Sequence, residues 1–453
     1  MKWMKLAVVF ASVTAFGRAY AFHDGGVAYC DGCHTMHNSS GNKAMAKKGA
    51  STQFQGLNFL LQGSDNSSTC LNCHAAADTK PTSYHIMTYP APAVSTGTAP
   101  VERTPGGDFA WLTQTFPGAP LFGRTGNSAT SPGDRHGHNI VAADYGLGAD
   151  ATLVAAPGGT YKNTDLSCAS CHDPHSRARV VDAAGTIASS ALGKAVLPIG
   201  ASGSYGAAPS ATEAVGVYRL LGSKSYSQLS VAGMTAFAND PPVAVAPSTY
   251  NLSEATADVR VAYGSGMSEW CANCHAAIHN DNTNAANTAL IHPAGSSALL
   301  SAAANDLAGN ASGTTIAAIY NSYKTSGDLT GTSATSYTSL VPYEEGTKDL
   351  ATLASHTAGT TGPSTGKENV MCLSCHRAHA SGWQSMTRWN NKSEFLTLAG
   401  EYPGVDATDA EAKGGQYNNG MTKAQYQAAM YDRLPTAFAS AQRSLCNKCH
   451  AKD

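Results

Sequence analysis

Charge is what this chain is short of. Asp, Glu, Lys and Arg make up 13% of its 453 residues, against about 25% in an ordinary soluble domain, so long helices with salt-bridged outer faces are excluded as the main architecture. Neither sign is in excess, with 29 Lys and Arg against 31 Asp and Glu, and nothing resembles the basic footprint of a nucleic-acid binder. Beyond the N-terminus no apolar run approaches the ~20 residues of a membrane span. There is no convincing run of alternating strand residues and no low-complexity linker to divide the chain. What fills the space is 45 Gly, 20 Pro and long Ala/Ser/Thr stretches. Alone, that bias points to disorder. Twelve Cys and 16 His gathered in tight clusters argue against it, and suggest a core formed by something other than side chains.

The first residues read as a processing signal: Lys2 and Lys5, an apolar run from Leu6 to Phe16, and the small-residue site Ala19-Tyr20-Ala21. Residues 1–21 are thus expected to be a signal peptide and 22–453 a single exported domain. No Cys follows that site, so a lipid anchor is not indicated.

An exported chain with an even number of Cys invites disulfides, but the spacing removes them. All twelve fall into six copies of C-x-x-C-H: Cys30/Cys33/His34, Cys70/Cys73/His74, Cys168/Cys171/His172, Cys271/Cys274/His275, Cys372/Cys375/His376 and Cys446/Cys449/His450. Zinc knuckles would use the thiolates but have no need of the adjacent His. Attachment of c-type haem uses all three residues, two Cys forming thioethers and the His lying beneath the iron. Six covalently bound haems are implied, and with them a chain most of which lies close to a macrocycle.

Ten His remain: His23, His37, His85, His136, His138, His175, His279, His292, His356 and His379. Six irons need six distal ligands, so every haem can be bis-His. Such an iron has no open position for substrate. A catalytic multihaem protein often marks its open haem with Lys in place of the motif His, and no such variant is present. Electron transfer is favoured over catalysis.

His37, His175 and His379 each follow a motif His by three residues, in motifs one, three and five only. Three residues cannot pass around a porphyrin to the opposite face of the same iron, so each of these His serves another haem or none. The alternation suggests a two-haem unit repeated from positions 30, 168 and 372. If His175 serves haem one and His379 serves haem three, His37 has no earlier haem and haem five has no donor. Reversing the direction also leaves one orphan ligand and one vacant iron. The simplest closure is head to tail, His37 of one protomer on haem five of the next, and a heterologous contact that does not close makes a filament. For the even haems the pool is His85, His138, His292 and His356, with His23, His136 and His279 in reserve.

Turn signals recur at Pro105-Gly106-Gly107, Pro132-Gly133 and Pro157-Gly158-Gly159. Helices are expected from Thr422 to Leu434, opened by a capping box of Thr422 and Gln425, near Thr314 to Tyr323, and briefly leading into Cys446. Their apolar stripes read as haem-packing faces. The fold class is thus mostly irregular coil with a few short α-helices, little or no sheet, and the haem chain as core.

Several stretches carry a resemblance: Phe22 to Ala28 with Cys33-His34-Thr35-Met36-His37-Asn38; Arg260 to Gly264 running on to Met267-Ser268-Glu269-Trp270-Cys271; Asn321 to Lys324; Cys372 to Gly382; and the closing Leu445 to Asp453. In these the chain resembles the filament-forming hexahaem cytochromes of the OmcS kind from metal-reducing bacteria, departing in loop length around Gly185 to Gly203 and Gly404 to Asn419. The resemblance implies six bis-His haems in a continuous chain, polymerised at the outer cell surface as an electron conduit. It also implies that the His matching His37 ligates the haem matching Cys372/Cys375/His376 on the neighbouring protomer. Electrons would come from outer-membrane or periplasmic cytochromes and leave to extracellular acceptors such as metal oxides. The rival readings are a soluble multihaem shuttle, a reductase with one open haem, and a subunit of an outer-membrane porin complex.

Overall fold

The computed structural model describes residues 30–35, 37, 39–40, 43–44, 60–77, 85–120, 128–175, 180–181, 187–188, 197–198, 221–228, 231, 234–245, 260–278, 292–304, 314–323, 338–357 and 361–450. The expected signal peptide and the reserve ligands His23 and His279 lie outside them.

Regular structure is brief. The Cys-x-x-Cys segments Cys30–Cys33, Cys168–Cys171 and Cys372–Cys375 are single helical turns. Two longer helices, Asn66–His74 and Met267–Cys271, run into motifs two and four. The first is started by Asp65, whose carboxylate accepts the Ser68 N–H at 2.7 Å, an N-cap bond of the kind worth about 1 kcal/mol. Strands form short antiparallel ladders. The longest joins Phe116–Pro120 to Ser128–Ser131, while Ala262–Tyr263, paired with Ala244–Val245, leads into motif four. Coil prevails, as the composition implies.

Thr422 caps its helix with the expected box, its Oγ1 accepting from Gln425 N at 3.2 Å while Gln425 Oε1 accepts from Thr422 N at 3.0 Å. The helix is Lys423–Ala429, shorter than expected. Tyr431 and Asp432 take left-handed backbone at φ 55° and 60°, which turns Leu434 off the apolar face and leaves it 51% exposed. Thr315 likewise caps Ile316–Ser322, accepting from Ala318 N at 3.1 Å. Before Cys446 lies a strand, Gln442–Arg443, and the motif itself is a 3-10 turn, Leu445–Lys448, rather than the continuation of a helix.

The coil satisfies its buried backbone with side chains. Fully buried Asp108 accepts from the backbone N–H of Thr88, Glu102 and Ala110 at 2.9, 3.1 and 2.8 Å and from the Thr88 hydroxyl. A protein core also exists beside the motifs. Trp383 meets Tyr426 edge to face at 4.6 Å, and Tyr402 stacks on Tyr426 at 5.2 Å and touches Phe438 at 6.4 Å. The stripe of Tyr426 and Met430 therefore belongs to a buried side-chain cluster with Trp111 and Trp383.

Candidate haem-binding sites

The turn of motif two touches that of motif three, and the turn of motif four touches that of motif five. Cys70 of motif two lies beside Cys168 of motif three, and Cys271 of motif four beside Cys372 of motif five. Both junctions are built alike. A Ser three residues before the first Cys of the even-numbered motif accepts the N–H of the first Cys of the odd-numbered one: Ser67 Oγ from Cys168 N, and Ser268 Oγ from Cys372 N, each at 3.1 Å. Within the odd turns, Ser170 Oγ accepts from Ser167 N at 2.8 Å and Ser374 Oγ from Met371 N at 3.1 Å. At the remaining junctions the second cysteines influence one another electrostatically. Burial pushes the Cys33 thiol up, and Cys73 adds to it. Cys171 is pushed up to about 12 by burial and then Cys274, and Cys375 to about 12 by burial and then Cys449. These contacts were missed in the sequence, although Ser-x-x-Cys before motifs two and four and Cys-x-Ser-Cys in three and five signal them.

The histidines meet in twos. Ring centroids lie 6.1 Å apart for His34 and His175, 6.4 Å for His172 and His379, 6.1 Å for His275 and His138, and 6.0 Å for His450 and His292. A metal-bound imidazole nitrogen lies about 2 Å from its metal, so two rings gripping one iron from opposite faces have centroids about 6 Å apart. Interplanar angles run from 13° to 79°, which axial ligation tolerates because each ring turns freely about its own bond. Among the described residues no group of three or more His, Cys, Asp or Glu side chains could hold a metal ion. Pairs are what an iron needs when its other four ligands are porphyrin nitrogens. The residues present fit haem.

Several of these rings are oriented by backbone carbonyls. The Nδ1 of His138, His275, His292 and His376 lies 2.7, 2.8, 2.9 and 2.7 Å from the carbonyls of Ala378, Pro157, Pro293 and Ser385. A carbonyl only accepts, so Nδ1 carries the proton and Nε2 keeps its lone pair for a metal. Burial holds His138 and His172 down to about 4 and His379 to about 3, so all three are neutral at pH 7.

His379 and His138 are placed by one clamp. His379 N donates to Gly106 O at 2.7 Å, His138 N to His379 O at 2.9 Å, and Ser381 N to His136 O at 2.9 Å. The strand is gripped on both sides only because glycine lines it: a Cβ at Gly107, where φ is 98°, would lie 1.8 Å from Ala380 O, and one at Gly137 2.3 Å from His379 O. At His275 a Cβ on Gly159 would lie 1.8 Å from Cys274 O. The glycines read as turn signals therefore also allow close approach.

His292 and His450 both line a cavity of about 120 Å³, with Leu300, Val341, Trp389, Cys446 and Cys449 on its wall. His136, held in reserve by the sequence, is fully buried and engaged at both nitrogens, Nε2 with Ser131 Oγ at 2.8 Å and Nδ1 with Trp111 O at 3.1 Å. His85 sits beside motif two, where Ile86 N donates to His74 O at 2.9 Å. His356 is half-buried and bonded through Nδ1 to Glu345 at 2.7 Å. His37 is exposed, and neither it nor His376 faces a second histidine ring among the described residues.

A buried carboxylate adjoins the motif four and five junction. Glu344 accepts from Met267 N at 2.7 Å and Asn369 Nδ2 at 2.8 Å, yet burial, reinforced by Glu269, lifts it to about 7. The folded state thus favours the protonated acid. Its contribution to stability is complete below the unfolded value near 4.5 and is lost as pH rises through 7, a swing of about 3 kcal/mol. Glu344→Gln should flatten the pH dependence of the urea midpoint across that window.

No protein-family model matches the chain. It is 51% identical over 446 residues to the C-type cytochrome OmcS of Geobacter sulfurreducens, an alignment covering 96% of this chain and 95% of that protein. The chain belongs to the OmcS family of c-type cytochromes. Two solved structures of OmcS agree. The OmcS nanowire from Geobacter sulfurreducens, by cryo-electron microscopy, superposes with a TM-score of 0.79 at 49% identity, covering 95% of this chain and 100% of that one. The outer membrane cytochrome S filament from the same organism gives 0.78 at the same identity and coverage. Membership in the OmcS family makes the chain an electron-transfer cytochrome rather than an enzyme, with covalently bound haem c as its cofactor.

Proposed function

We propose that this cytochrome carries six haems, each held by two histidines, and conducts electrons through a head-to-tail filament outside the cell. The observation that carries the reading is that four motif histidines each meet a second histidine ring with centroids 6.0 to 6.4 Å apart, the spacing of two imidazoles on one iron. Haem c supplies the one-electron redox change; the chain supplies ligation, spacing and electrostatics. The motif histidines are the proximal ligands, and His175, His379, His138 and His292 are the distal ligands of haems one, three, four and six. Haem two draws its ligand from His85 and His356, and haem five takes His37 of the next protomer. The signal peptide exports the chain, upstream outer-membrane or periplasmic cytochromes supply electrons, and acceptors such as metal oxides take them outside. The OmcS filaments support polymerisation.

Cryo-electron microscopy of protein sheared from the cell surface tests this. Filaments with six haem densities, each bracketed by two imidazoles, are expected. Isolated monomers with every iron ligated in cis would instead indicate a soluble shuttle, and one five-coordinate haem a reductase.

A further inference from the structure

The attachment turn of haem five is wrapped by a buried cation. Arg388 is 3% exposed. Its backbone N–H donates to Cys375 O at 2.8 Å, and its Nε donates to Leu373 O, inside the Cys-x-x-Cys turn, at 2.7 Å. Among the described residues its guanidinium makes no other hydrogen bond and pairs with no carboxylate. Arg260, another buried arginine, is by contrast paired with Glu345. The segment also runs beside the motif histidine, Thr387 bridging His376 in antiparallel register.

A ferrous bis-His haem carries one more negative charge than a ferric one. A fixed positive charge in a low-dielectric interior therefore stabilises the reduced state, and among the described residues no carboxylate pairs with Arg388. We propose that Arg388 sets the potential of haem five, raising it so that electrons dwell at the haem that joins one protomer to the next. This rests on the reading of His376 as a haem ligand. Arg388 is a positioning residue for charge and touches no reacting atom that the structure shows.

The test is a spectroelectrochemical titration of the intact protein and of Arg388→Gln and Arg388→Lys. The Gln variant should shift the midpoint of one haem in six downward, while Lys, which keeps the charge and loses the guanidinium fork, should stay close to wild type. A Gln curve superimposed on wild type overturns the proposal. So does a Lys variant that falls as far as Gln, because packing and not charge would then be responsible. If Gln fails to mature, Lys against wild type decides, a lowered midpoint overturning the proposal. Haem content by intact mass and the ferric low-spin spectrum report separately on the ligation reading: fewer than six haems in the wild type would sink that reading, whatever Arg388 does.

Discussion

Replacing His37 by alanine is expected to give protein that no longer assembles and in which one ferric haem of the six turns high-spin. Under the proposed ligation, haem five is the site. The His376 ring has its Nδ1 on Ser385 O at 2.7 Å, leaving Nε2 for iron, and no second histidine ring meets it among the described residues. His37 is exposed and equally unmatched. A single bond between protomers then completes both a coordination sphere and a head-to-tail contact, so that its loss should register in two independent measurements. Electron micrographs report assembly and ferric paramagnetic resonance reports spin state. Added imidazole should return the high-spin haem to low spin without restoring filaments. If His37→Ala keeps every haem low-spin and still polymerises, haem five is ligated in cis and the orphan-ligand argument is wrong.

What the sequence shows of this protein follows the range of its chemistry. Haem attachment needs two thiols and an imidazole in fixed succession, so Cys-x-x-Cys-His is readable from neighbouring letters. The three-residue spacing of His37, His175 and His379 is also local, and its argument put His175 with haem one and His379 with haem three. The His34 and His175 rings have centroids 6.1 Å apart, and those of His172 and His379 6.4 Å. Local pattern says nothing about His138 meeting His275 or His292 meeting His450. The first of those pairs depends on coil segments approaching backbone to backbone, at Gly107, Gly137 and Gly159, and a glycine looks the same in sequence whether it serves a turn or a close crossing. The grouping of motifs was read from the odd-numbered histidines as one with two, three with four and five with six. Hydrogen bonds instead join two to three and four to five, through serine contacts that span more than a hundred residues at Ser67 and Ser268. The helix from Thr422 was visible through its cap, but its end was not, because the left-handed turn at Tyr431 and Asp432 involves neither glycine nor asparagine.

Glu345→Gln should be the most destabilising single substitution short of removing a haem ligand. The Glu345 carboxylate, 1% exposed, binds the Arg260 guanidinium through Oε1 and His356 Nδ1 through Oε2 at 2.7 Å. Arg260 is itself 2% exposed at its side chain, with its guanidinium 4.5 Å from the Tyr343 ring centroid and 3.2 Å from the Tyr343 hydroxyl. Its Nε and Nη1 find no hydrogen-bond partner, so Glu345 is the anion that keeps this charge tolerable in the interior. Removing one partner of a buried pair strands the other, at a cost of about 3 to 5 kcal/mol, whereas replacing both by apolar residues of similar volume can be close to neutral. The denaturant midpoint should therefore fall steeply in Glu345→Gln and recover in the double variant Arg260→Met with Glu345→Leu. The spectrum adds a second reading. If His356 ligates haem two, its Nδ1 partner steadies the ring and supports its basicity, and both the single and double variants should perturb one haem's low-spin signal even where stability is regained. Recovery of stability with an unchanged spectrum would leave His356 as a structural residue and assign haem two to His85. A single variant as stable as wild type would mean that solvent reaches Arg260, contrary to its burial.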